Sequence, residues 1–211
     1  MTTTYDKHRK YWVKKLGISS TLKEMASFLP SDKVLDVGCG GGRLAAYAAS
    51  QGVAKVCGLD YSGELIEVAV ERYPGIVFYC RDVNNPKSLQ LDDTYNVLVS
   101  NVAIRKDGVR LPDLLQNTDA ERCYFRIQGE RDLPGWTTEL PLYSENEIRS
   151  AFKGWSLDIK QEVYQQKFTD EAYFRTFLER IGLIPREEPF QAKTWPLRVQ
   201  RHYYCVAATR N

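Results

Sequence analysis

Asp36, Gly38, Gly40 and Gly42 stand at alternate positions in the run Val34-Leu35-Asp36-Val37-Gly38-Cys39-Gly40-Gly41-Gly42-Arg43-Leu44-Ala45. Glycines in such a turn remove the Cβ atoms that would keep a ligand from the backbone, and the N–H groups opening the following helix face the same space. A carboxylate two residues before Gly38 favours a cationic ligand over an anionic one. A dinucleotide site would instead carry a third glycine where Arg43 stands, and would hold a pyrophosphate that Asp36 repels. The chemistry implied is the binding of a positively charged nucleotide derivative.

Three further apolar runs end in polar residues at regular intervals. Lys55-Val56-Cys57-Gly58-Leu59-Asp60 places an acid 24 residues after Asp36, the length of one strand-helix-strand step. Ile76-Val77-Phe78-Tyr79-Cys80-Arg81-Asp82-Val83 and Asn96-Val97-Leu98-Val99-Ser100-Asn101 follow.

These four motifs, spanning Val34 to Asn101, resemble those of class I S-adenosylmethionine (AdoMet)-dependent methyltransferases. The resemblance implies that Asp36, Gly38, Cys39 and Gly40 hold the amino-acid end and adenosine of the cofactor. It implies that Asp60, with Tyr61 beside it, accepts the ribose hydroxyls, that Asp82 accepts from the adenine amino group, and that the Val83 N–H donates to the ring. Ser100 and Asn101 would lie near the transferred methyl. One departure stands out: the family commonly has an acid near the start of the fourth motif, where this chain has Asn96. The implied reaction is methyl transfer to O, N or C of a small metabolite or natural-product intermediate, with S-adenosyl-L-homocysteine (AdoHcy) as product. Two alternatives remain open at this point, a protein or RNA acceptor and an AdoMet-binding protein that transfers nothing.

The elements that must position these residues alternate as strand and helix, which predicts an α/β fold. The expected architecture is a doubly wound, mostly parallel seven-stranded sheet with helices on both faces, an antiparallel last strand and an N-terminal helical lid. Residues 1–211 read as one domain: a helical preface over 1–30, a cofactor-binding core over 31–128, and substrate-side additions with closing strands over 129–211. Within the preface, Leu22, Met25, Ala26 and Leu29 share a helical face. Helices are predicted over 44–50, from a Ser62 cap to Pro74, from a Ser144 capping box to Phe152, and over 170–181. The fifth, sixth and seventh strands are expected at 122–127, 157–168 and 202–208, and 105–116 shows fewer regular signals.

In-line displacement at a sulfonium methyl needs a well-placed nucleophile in a dry pocket more than a strong acid or base. The acceptor side is accordingly less legible. Asn101 and His8 are the catalytic candidates, Asn101 because it can orient a hydroxyl or amine, His8 if the preface folds over the site. His202, beginning the last strand, is more simply a sheet residue. Tyr11, Trp12, Arg105 and Trp136 are the substrate-side candidates, aromatic walls suiting a planar acceptor and Arg105 a carboxylate. Each has a plainer reading as core or as a solvated loop charge.

Composition bounds the rest. With 211 residues and a formal charge of +2, the chain lacks the strongly basic balance of a nucleic-acid binder. It has no uninterrupted apolar run of membrane length and a polar start, so a cytoplasmic protein with a small-molecule substrate and no membrane partner is expected. Five isolated cysteines argue for reduced thiols rather than disulfides or a metal centre. Cys39 is read as a small loop residue, with redox sensitivity of the site as the alternative. Oligomeric state is left open.

Overall fold

The computed structural model describes residues 17–89, 91, 93–106, 108–129, 142–168 and 197–211. Its strands are β1 (Lys33–Val37), β2 (Lys55–Asp60), β3 (Val77–Cys80), β4 (Val97–Asn101), β5 (Arg122–Gln128), β6 (Trp155–Phe168) and β7 (Leu197–Arg210). They form one sheet in the order β3-β2-β1-β4-β5-β7-β6. Pairings from β3 through β5 are parallel, and β7 runs antiparallel to both β5 and β6, as expected for the last strand.

The apolar runs of β1 and β4 are buried on both faces, which is why they do not alternate in sequence. Val34, Val97, Val99 and Tyr124 pack under helices α1 (Ser20–Met25) and α2 (Arg43–Ser50). Leu35, Val37, Leu98, Phe125 and Ile127 pack under α4 (Leu111–Gln116) and α5 (Glu145–Ala151). Helix α3 (Gly63–Arg72) lies along β3 and β2 at the far edge. Among the described residues, no helix is long and apolar enough to cross a membrane.

Sequence and structure differ in three places. The preface contributes a single six-residue helix within 17–30, capped by Ser19, and Leu29 is half exposed instead of sharing a buried face with Leu22. Strand β3 is only Val77–Cys80, its pairing ending at Cys80 opposite Asp60, where β2 itself ends. A helix forms at Leu111–Gln116 where sequence signals were weak; its cap is Arg110, which makes no side-chain cap bond, and Leu111, Leu114 and Leu115 are held by tertiary burial. The expected helix over 170–181 and the lid over 1–16 lie outside the described residues.

Asn96 occupies the opposite end of the sheet from the glycine turn. Its Oδ1 accepts from the Lys33 N–H at 2.8 Å and its Nδ2 donates to Asp32 Oδ1 at 3.1 Å. The fully buried Asp32 also pairs with the Arg122 guanidinium and accepts from the Leu29 N–H at 2.7 Å. Asn96 therefore locks β1 to β4 at their starts, and its departure from the family pattern does not touch the methyl end.

The capping box predicted at α5 is present: the Glu147 N–H donates to Ser144 Oγ and Glu147 Oε2 accepts from the Ser144 N–H. Ser144→Ala is expected to cost about 1 kcal/mol in urea unfolding, the usual worth of such a cap. Equal midpoints for the two proteins would contradict that role.

Candidate functional site

The carboxyl ends of β1, β2 and β4 and the turn 38–42 converge on one edge of the sheet. Gly38, Gly40 and Gly42 all have positive φ, at 71°, 51° and 79°. This alternation of left-handed residues folds the turn back so that the Gly38 and Cys39 N–H groups both donate to Leu59 O at 2.8 and 2.9 Å. The crown of the turn is open at Gly40, where an added Cβ would meet only Leu65 Cδ1 at 3.9 Å. At Gly38 the neighbour is Ala103, from the segment after β4, and not open space. Gly38, expected on the cofactor side, is thus also needed for close packing of two chain segments.

Asp36 lies buried beneath the turn. Its Oδ2 accepts from the Ala45 N–H at 2.9 Å, capping α2, whose own N-cap Gly42 has no side chain to do so. Its Oδ1 is buried without a hydrogen-bond partner. Burial without a counter-charge pushes this carboxyl up to about 8; the Ala45 N–H opposes the rise and the nearby Asp60 charge adds to it. An enclosed carboxyl oxygen with no partner fits a cationic ligand group.

Asp60 bridges the turn to the next helix, its Oδ2 accepting from the Gly40 N–H at 2.8 Å and its Oδ1 from the Ser62 N–H at 2.9 Å. Ser62 in turn caps α3, accepting from the Leu65 N–H, as its sequence position predicts. Tyr61 lies between them, half-buried, its carbonyl facing Cys80 Sγ at 3.6 Å. Cys39 is a buried free thiol. Burial, then the Asp36 and Asp60 charges, push it well above its ordinary value, so it stays a protonated and poorly nucleophilic thiol.

The remaining candidates are dispersed. Asp82 is exposed and its Oδ1 accepts from the Asn84 N–H at 3.0 Å in a turn just past β3, while Val83 is buried in the core. Ser100 is fully buried and donates to Val37 O at 2.7 Å, so its hydroxyl ties β4 to β1. Asn101 Nδ2 donates to Gly17 O at 3.3 Å and its Oδ1 is enclosed without a partner. Arg105 sits in a turn closed by the Gly108 N–H to its carbonyl. His8, Tyr11, Trp12 and Trp136 lie outside the described residues.

The sequence reading missed a polar row on the same edge. Arg126 Nε donates to Glu162 Oε2 at 2.8 Å, and the Arg126 guanidinium lies 3.7 Å from the Tyr203 ring centre. Gln128, two residues on along β5, is buried with Nε2 unpartnered. A signal for it existed in Cys123-Tyr124-Phe125-Arg126-Ile127-Gln128, where polar residues two apart interrupt an apolar strand. His202 Nε2 is also enclosed and unpartnered, but it alternates with Tyr203 and so faces the other side of β7.

The family profile described as "Methyltransferase domain" matches residues 34–117. No curated protein sequence matches the chain significantly. Solved structures share the fold at low identity. TehB from Haemophilus influenzae superposes with a TM-score of 0.65 at 19% identity, over 99% of this chain and 68% of that one. Magnesium protoporphyrin IX methyltransferase (ChlM) from Synechocystis PCC 6803, solved with bound SAH, gives 0.55 at 15%, over 97% and 83%. A structure described as the conversion of a disulfide bond into a thioacetal group during echinomycin biosynthesis gives 0.58 at 18%, over 90% and 79%. Because the profile begins at β1 and ends just past α4, it covers the glycine turn, both buried acids and the end of β4, and over residues 34–117 the chain is similar to methyltransferase domains.

Proposed function

We propose that this chain transfers the methyl group of AdoMet to an oxygen, nitrogen or carbon atom of a small molecule. The observation that carries the cofactor half of this reading is the enclosed, unpartnered Asp36 Oδ1 beneath a turn whose crown is open at Gly40. When bound, AdoMet would supply an electrophilic methyl: an electron pair of the acceptor would form the new bond, the carbon–sulfur pair would go to sulfur to leave AdoHcy, and the acceptor's proton would be released to solvent.

The chain's own residues bind, orient and exclude water. Asp36 meets the cationic end of the ligand, and Asp60, fixed by the Gly40 and Ser62 N–H groups, serves the ribose. The Val83 N–H and the Asp82 carboxylate serve the adenine. Asn101 projects from the end of β4 on the same face as Asp36, since Asp36 pairs with Val99 two residues earlier. That placement lets its free Oδ1 accept from an acceptor O–H or N–H and hold the lone pair in line. The near-balanced charge of the chain and the acceptor named for the ChlM neighbour both support a small molecule over nucleic acid.

Calorimetry tests the reading directly. AdoMet should bind the full chain, and Asp60→Ala should weaken it by ~1.5–3 kcal/mol, the range for hydrogen bonds to a charged group. An absence of heat at millimolar AdoMet in folded protein would end the proposal. Mass spectrometry of acceptor libraries, reading a methyl gain with AdoHcy release, then identifies the methylated element.

A further inference from the structure

We propose that the acceptor is an uncharged molecule presenting a hydrogen-bond donor and an acceptor side by side, read by Asn101 and Gln128. The inference rests on the methyl-transfer reading and deepens it by naming the substrate class.

The register places both amides on one surface. Asn101 pairs with Arg126 across β4 and β5, and Gln128 follows Arg126 by two residues, so Asn101, Arg126 and Gln128 project to the same face. One strand apart and two residues along, their Cα atoms are separated by about 8 Å, within reach of one small molecule between the side chains. Asn101 offers Oδ1, an enclosed acceptor, its Nδ2 being committed to Gly17 O. Gln128 is 5% exposed and offers Nε2, an enclosed donor. A buried donor and a buried acceptor left open at one edge are costly for folding alone, and each is complementary to what the other lacks.

Charge decides the class. The cation beside Asn101 in this row, Arg126, is neutralised by Glu162 at 2.8 Å and flattened against Tyr203, while Lys160, two strands away on the same face, is exposed to solvent. Burial pushes the Glu162 carboxyl up, but hydrogen bonds from the Ser19 and Thr21 hydroxyls and the Arg126 charge outweigh it and hold it below its ordinary value. The pair is thus ionised and internally closed, with Ser19 donating to Glu162 as well. Among the described residues of this row, Asn101, Arg126 and Gln128, an anionic acceptor would find no uncommitted charge and would have to break that pair. A carboxamide, or a hydroxyl beside a carbonyl, meets both free atoms without doing so.

The test uses the full chain with AdoHcy and the matched probes benzamide and benzoate, of nearly equal shape but different charge. In ligand-free protein, Gln128→Met should leave Tm unchanged or raise it, because no bond is lost; a fall of more than about 3 °C would show that the amide holds the fold, and would overturn the proposal. With AdoHcy bound, benzamide should bind more tightly than benzoate by ligand-observed NMR. Gln128→Met and Asn101→Leu should each weaken benzamide about tenfold. Tighter binding of benzoate, no binding of benzamide, or indifference to both substitutions overturns the assignment. If AdoHcy itself fails to raise the wild-type Tm, the methyltransferase reading has failed and not this one.

Discussion

Replacing Asp36 by Asn should abolish a stability loss of about 5 kcal/mol that the wild-type fold suffers on going from pH 4 to pH 8. Burial moves this carboxyl from 3.8 to about 8, so the folded chain keeps a proton that the unfolded chain releases above pH 4. Its contribution is therefore full below pH 4 and is lost as pH rises through about 8. Glu147, held down at about 2 by Lys106 and the Ser144 N–H, works in the opposite sense and loses stability on acidification. The difference between wild-type and variant profiles isolates Asp36. Urea denaturation at pH 5 and pH 8 provides the measurement, and parallel profiles for the two proteins would refute the assignment. A cationic ligand beside Asp36 should also expel its proton. AdoMet binding at pH 7 is then expected to release protons in wild type and not in Asp36→Asn, read as a dependence of binding heat on the ionisation enthalpy of the buffer.

Gly38→Val should destabilise the fold by about 4 kcal/mol and remove AdoMet binding with it. Two costs add. A β-branched residue at φ 71° is strained by roughly 1–3 kcal/mol, and its Cβ would overlap Ala103 Cβ, an overpacking of similar size. Ala103 is carried by backbone and cannot swing aside. It follows Val102, itself at φ 73° and anchored by its N–H to Arg126 O at 2.7 Å. Gly38→Ala should lie in the same direction with a smaller loss. A thermal midpoint within about 2 °C of wild type for Gly38→Val would contradict this packing, since 4 kcal/mol moves Tm several degrees in a chain of this size. The outcome also separates two explanations of the glycine: contact with Ala103 predicts lost stability without ligand, whereas contact with the cofactor alone predicts lost affinity in a stable protein.

The parts of the fold readable in advance share one property: their signals are local. Strand β1, the turn and helix α2 are written in consecutive residues, as are the Ser62 and Ser144 caps, whose partners lie three positions away. The antiparallel seventh strand came from the resemblance, not from its own residues. Helix α4 escaped because it is short and owes its form to burial of three leucines against distant strands. The shortness of β3 reflects where its partner β2 ends, at Asp60 opposite Cys80, which the residues 76–83 do not encode. For Asn96, the motif specifies the residue type and not its place in the sheet; the fold puts it at the end remote from the glycines, holding Lys33 and Asp32.

Consecutive residues carry the chemistry on offer: an acid, alternating glycines and further acids at strand ends, in an order suited to one cationic nucleotide. Which atoms remain free to act depends on how the strands pack. Ser100 and one oxygen of Asp36 are spent inside the protein, while Asp36 Oδ1, Asn101 Oδ1 and Gln128 Nε2 are left open. The reason is that a hydrogen-bond partner supplied by another strand depends on register and facing, which emerge from packing the whole sheet and are carried by no short stretch of chain.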